Sequence, residues 1–241
     1  MNWYSYCAGD PVNAVDPLGL RLTASVEDSE TILQELEKLT DDDISFVEDV
    51  DENGIGTGMG QFVITKTYDT YRHVGQTLIQ NLIYSDEVVN INIGGVEVTD
   101  SDGNIRIETW CMQNATSTDP IQIYIDPDDT LGLGTRGAYV EDKDGKVSTE
   151  DFPDFILFGH ELLHAWRDVE GLFINSREEV GLIPHDAPKL WREEELQTMG
   201  INYTVNGVAV RDYETYEGIM SENGLRLENE LNTRVSYYYA Y

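Results

Sequence analysis

Polar and apolar positions in residues 1–20 follow no period, and turn formers are frequent there. From 25 to 50 the pattern predicts an amphipathic helix: Ile32, Leu33, Leu36 and Leu39 fall at helical spacing, and the acidic run Asp41 to Asp43 closes it. Glycines 54, 56, 58 and 60 predict a flexible loop. The runs QFVITKTY (61–68), VVNINIGGVEVT (88–99), NIRIETW (104–110) and IQIYID (121–126) predict strands, divided by turns such as Gly94-Gly95 and Asp102-Gly103. Between the first two, 73–84 reads as a helix. Helical spacing returns at 152–170 with dense apolar content, at 188–199 behind Pro188, and from Ser221, a candidate N-cap, to Leu231. Strands first and helices later predict an α+β fold, a twisted sheet with one strongly apolar helix and further helices after it.

The length of 241 residues and 40% hydrophobic content suffice for a packed core of one domain or two small ones. Charge changes the picture more. Forty-six acidic residues against 15 basic leave a net of -31, a surface that repels phosphate backbones, so no nucleic-acid partner is expected. No run reaches the roughly 18 consecutive apolar residues of a membrane span. Cys7 and Cys111 form no CxxC pattern and imply neither a disulfide framework nor a thiolate metal site. Asp49-x-Asp51-x-Asn53-Gly54 begins like a calcium loop, but Gly60 stands where the closing Glu belongs. Asp142-x-Asp144-Gly145 and Asp100-x-Asp102-Gly103 read as hairpin turns, and His73 and His185 lack partners at ligand spacing.

The sharp signal is His160-Glu161-Leu162-Leu163-His164. Four residues make about one helical turn, so both imidazoles leave one face and can share a metal, with Glu161 beside them as a base toward an activated water. A catalytic zinc needs a third protein ligand. The metzincin solution would require Gly at 167 and His at 170, where the chain has Arg167 and Glu170. A later Glu is the other common solution, and Glu193, Glu194 and Glu195 offer three in a row. A helical wheel over Leu190, Trp191 and Met199 centres the apolar face nearer Glu195 than Glu194, where metal coordination would offset the cost of burying a carboxylate.

With these residues in view, the chain resembles known families at both ends. Pro11, Asp16, Pro17, Gly19 and Leu20 fill the Pro-x4-Asp-Pro-x-Gly-Leu signature that ends the shell of RHS/YD-repeat proteins. That resemblance implies a payload released after Leu20, a division into 1–20 and 21–241, and a parent RHS shell as partner. The aspartates such shells use for the cut are absent from this chain, so self-cleavage is not expected. His160-Glu-Leu-Leu-His164 with Glu194-Glu195-Leu-x-Thr198-x-Gly200 resembles the zinc site of the clostridial neurotoxin light chains, where the second Glu of the pair binds zinc. The likeness assigns that role to Glu195, with Glu194 as its neighbour. Glu222, twelve residues before Arg234-Val-Ser-Tyr237, matches a further block of that site, and the whole constellation is similar to the NleD-like effector metallopeptidases.

The resemblance implies a zincin-like metallopeptidase fold and one Zn2+ held by His160, His164 and Glu195. Glu161 would be the general base, Arg234 and Tyr237 donors to the oxyanion, and Glu222 an orienting carboxylate behind a histidine or Arg234. It further implies a toxin delivered to the recipient-cell cytosol, a protein substrate there, and a cognate immunity protein, for which the acidic charge suggests a basic surface. Two other classes fit parts of the chain: a binding module whose metal is not catalytic, and a nuclease toxin, against which the charge weighs.

Overall fold

The strand that opens the described chain sits in the middle of the main sheet. The computed structural model describes residues 21–99, 105–108, 110–112, 120–125, 137–174, 177–182, 189–211 and 218–240. Residues 1–20 with Leu20, the 100–103 turn and His185 lie outside them, as do the side chains of 237–240, Tyr237 included. β1 (Arg21–Ser25) leads into α1 (Ser29–Leu39) and the hairpin of β2 (Asp43–Val50) and β3 (Gly56–Lys66). β3 returns antiparallel to β1, and α2 (His73–Ile83) then carries the chain across to β4 (Val88–Ile93), parallel to β1. β5 (Val96–Thr99) and β6 (Ile105–Glu108) form a separate antiparallel ribbon. β7 (Trp110–Met112) lies antiparallel to β8 (Ile121–Ile125), which is parallel to β4, so the sheet runs β2-β3-β1-β4-β8-β7.

Alternation explains this sheet. Leu22 and Ala24 of β1, Val89 and Ile91 of β4, and Ile121, Ile123 and Ile125 of β8 are buried in one core with the inner faces of α1 and α2. The residues between them are polar and bond across the strands: Asn90 Nδ2 donates to Gln122 Oε1 at 2.9 Å and Thr23 Oγ1 to Asn90 Oδ1 at 3.2 Å. Onto that core packs α3 (Asp154–Val169), which follows the hairpin of β9 (Gly137–Glu141) and β10 (Val147–Asp151). Leu162 and Leu163 are wholly buried, each stabilising the packing by about 1.5–3 kcal/mol. α3 touches α1, α2, α5, β7 and β8, which makes it the central helix of the molecule.

The remainder forms a smaller unit and a return strand. β11 (Arg177–Leu182), β12 (Lys189–Arg192), β13 (Tyr203–Val205) and β14 (Val208–Arg211) make a sheet in the order β12-β11-β13-β14, and α4 (Glu193–Met199) leaves directly from β12. Leu196, Met199, Ile201 and Tyr203 give this unit its own apolar cluster. α5 (Glu222–Glu228) precedes β15 (Thr233–Ala240), which pairs with β9.

The fold is mixed α and β, but helices and strands interleave instead of segregating by chain position. The first helix ends at Leu39, where Thr40 turns extended, just before the acidic run expected to close it, and 43–50 is strand. Gly54 lies in the β2–β3 turn, but Gly56, Gly58 and Gly60 are part of β3 rather than a loop: Val47 carbonyl lies so close to Gly60 that a Cβ there would collide with it. Lys189–Arg192, expected to be helical, is strand. The hairpin turn at 142–145 is as expected, Asp142 Oδ1 accepting from the N–H of Asp144 and Lys146. In the calcium-like run, Asp51 Oδ1 instead accepts from the N–H of Asn53 and Ile55, closing the β2–β3 turn. Among the described residues no helix is long and apolar enough to cross a membrane.

Candidate metal centre

The four-residue spacing on α3 brings His160 and His164 to one face, with Nε2 atoms 3.1 Å apart. Glu195, the third residue of α4, brings Oε2 to 3.3 Å from His164 Nε2 and 3.5 Å from His160 Nε2. Ligand atoms about 2.0–2.1 Å from a tetrahedral ion stand about 3.3 Å from one another, so these three atoms have the spacing of three corners of a zinc tetrahedron.

The other ring nitrogens decide which lone pairs face this point. His160 Nδ1 lies 3.0 Å from Glu222 Oε2, and His164 Nδ1 lies 3.4 Å from Glu194 Oε1 and 3.2 Å from Thr198 Oγ1. A carboxylate only accepts, so Nδ1–H is the donor in both rings and each Nε2 turns a lone pair inward. Two acceptors 3.1 Å apart beside a carboxylate call for a cation between them. The surroundings agree in charge: Glu161, Glu194, Glu195 and Glu222 stand against Arg167, Arg226 and Arg234, leaving one negative charge in surplus. The donor set fits a divalent ion of the zinc type.

Titration follows the same arrangement. Burial opposes charging of His160, yet its hydrogen bonds to Glu195 and Glu222 raise its pKa. Burial likewise opposes charging of His164, but the charge of Glu195 and the bonds to Glu194 and Glu195 push it up to about 10. Burial works to raise Glu195, while the two histidines hold it well below the usual carboxylate range. Glu222 is driven the same way, against its burial, by Arg234, His160 and Arg226. Without metal, the site keeps protons where a cation would sit.

Three short sequence blocks are tied together behind the ligands. Ser221 caps α5, its Oγ accepting from Gly224 N–H at 3.1 Å. Gly200 ends α4 in the left-handed region at φ 71°, with Ile201 N–H returning to Leu196 carbonyl at 3.3 Å, and its Cα abuts Ser221 so closely that no side chain fits. Asn223 donates to the carbonyls of Gly200 and Arg234 and accepts from Arg234 N–H at 2.6 Å. The end of α4, the start of α5 and β15 therefore meet, which is why Glu195 and Glu222 reach the same pair of histidines.

Of the expected site residues, His160, His164 and Glu195 converge as one potential ligand group. Glu161 is 7% exposed on the same helix. Glu194, not Glu195, is the more deeply buried of the pair at 1%, so the helical-wheel argument pointed to Glu195 for a reason the structure does not bear out: the deep carboxylate is paired with Arg167. Arg234 is buried at 2%, with Nη1 on Glu222 Oε2 at 3.0 Å and Nε on Ser236 carbonyl at 2.9 Å. Tyr237 belongs to β15. Sequence reasoning missed two arginines. Arg226 Nε donates to Glu222 Oε1 at 2.9 Å, and Arg226 and Arg234 both lie over Phe152, at 4.7 and 5.2 Å from the ring centre. Arg167 grips Glu194. The available signal was helical spacing, Arg226 four residues after Glu222 and Arg167 three after His164.

The profile of the Peptidase M91 family, described as effector protein, matches residues 20–237. No curated protein and no solved structure matches the chain.

Proposed function

The chain belongs to the Peptidase M91 family of effector proteins, and from that premise we propose that it is a zinc-dependent endopeptidase toxin cutting a protein in the cytosol of a recipient cell. The observation that carries this reading is the convergence of two imidazole Nε2 atoms and one carboxylate oxygen within 3.1–3.5 Å, each imidazole backed by its own carboxylate. Zinc held by His160, His164 and Glu195 supplies Lewis-acid activation of a water and of the scissile carbonyl at neutral pH.

The chain's own residues do the rest. Glu161 takes the proton of the attacking water and returns it to the leaving amine. Glu222 and Glu194 hold the two imidazoles in one tautomer. Arg234 gives Nη1 to Glu222, which ties it to the carboxylate behind His160, and Arg234 and Tyr237 are the proposed donors to the oxyanion. The signature at Pro11 to Leu20 supports release from an RHS shell after Leu20. The net charge of -31 supports a basic surface on the substrate or on a cognate immunity protein.

Mass spectrometry of a susceptible cell's proteome, exposed to the protein or to its Glu161→Gln variant, tests the reading. New protein termini that depend on Glu161 are expected. Equal termini with both proteins, or cleavage of nucleic acid by both, would contradict it.

A further inference from the structure

The two histidines are not supported alike. Glu222 is gripped by Arg226 and Arg234, whereas among the described residues the one cation on Glu194 is Arg167. Its grip is bidentate, Nε to Oε1 at 2.7 Å and Nη2 to Oε2 at 3.1 Å. The guanidinium is itself fixed, Nη2 donating to Leu172 carbonyl at 3.0 Å and to Gln197 Oε1 at 2.9 Å, and it is 6% exposed. Glu194 Oε1, the atom facing His164 Nδ1, is the oxygen to which Arg167 Nε donates.

We propose that Arg167 is a positioning residue of the metal centre: it holds Glu194, and Glu194 fixes the ring and tautomer of His164. This rests on the reading that His160, His164 and Glu195 bind zinc. Glu194 sits 1% exposed beside an imidazole, and with its counter-ion gone the Ile174 N–H on Oε2 at 3.0 Å and the Thr198 hydroxyl on Oε1 at 3.4 Å hold it without the fork that fixes both oxygens, so the carboxylate can turn. A carboxylate that can turn no longer keeps Oε1 on His164 Nδ1, and Thr198 Oγ1, 3.2 Å away and itself bonded to Glu194 Oε1, is then the neighbour left beside that ring nitrogen. Arg167 also joins the two parts of the site, since it stands on α3 while Glu194, like the ligand Glu195, stands on α4.

The test measures zinc affinity of the full chain by competition with a chelator, and the visible spectrum of the cobalt(II)-loaded protein. Arg167→Gln is expected to weaken zinc binding by about 10- to 100-fold, as loss of a partner behind a metal ligand does, and to shift the cobalt bands. Arg167→Lys, which keeps the charge but not the fork, should recover part of the affinity. The double variant with Glu194→Gln leaves no unpaired buried charge and should bind zinc no more weakly than Glu194→Gln alone, because both changes remove one contact. Should Arg167→Gln fail to fold, the Lys and double variants decide. Unchanged zinc affinity and cobalt bands in these variants, even with lowered thermal stability, would reduce Arg167 to a structural role and overturn the inference alone. An unmodified chain that binds no zinc would overturn the functional reading with it.

Discussion

Glu161 and Gly200 show how single residues carry different parts of the account. Glu161 supplies no ligand atom to the metal group, so Glu161→Gln should keep about one zinc per chain while peptide cleavage falls by about 10²- to 10⁴-fold; metal analysis beside a turnover assay checks both. Glu195→Gln should instead lose zinc and activity together. Gly200 matters for shape. Its φ of 71° and its contact with Ser221 leave no room for a Cβ, so Gly200→Ala should destabilise the fold by about 1–3 kcal/mol, read from denaturant unfolding. It should also weaken zinc binding, since Glu195 reaches the site from the helix that this glycine ends.

Among the elements, α5 is the one whose cap bears most directly on the site. It has seven residues, too few to persist without its cap and packing, and its first residue is Glu222. Ser221→Ala should cost about 1 kcal/mol of stability in an unfolding experiment and loosen the carboxylate behind His160. Elements governed by local spacing were legible in the sequence: α3 with its HExxH, α2, the cap at Ser221, and the alternation of β4 and β8. Those governed by distant partners were not. Lys189–Arg192 has a helical look, yet β11 pairs with it, and 43–50, past the acidic run that closes the first helix, is strand because β3 lies alongside. The same limit applies within the site. Spacing pointed to His160 and His164 and the family resemblance to Glu222, while the pairing of Arg167 with Glu194 depends on two helices meeting and leaves no contiguous motif.

For the whole molecule, the candidate metal centre is where the main core and the smaller unit meet: α3 belongs to the first, and α4 packs with the second cluster. A bound zinc should therefore stabilise the assembly, and pH should govern by how much. His164, raised above its unfolded value to about 10, contributes stability that is fully present below about pH 6.5 and lost as pH climbs toward 10. Zinc takes the place of those protons, so its stabilising effect should grow across the same range. Thermal midpoints with and without zinc at pH 6.5 and pH 9 check this, and a zinc-induced shift that is flat or falls with pH would contradict it. Removing zinc should also increase hydrogen exchange in α4 and β13 before it does so in β1 or β4.

The most direct test of the central claim is a crystal structure of the zinc-loaded protein with anomalous data at the zinc edge. The account predicts one strong peak about 2.0–2.2 Å from His160 Nε2, His164 Nε2 and a Glu195 carboxylate oxygen, with Glu194 still on Arg167. A peak bound by Glu194 in place of Glu195, or no peak at the histidines of a protein that contains zinc, would contradict it.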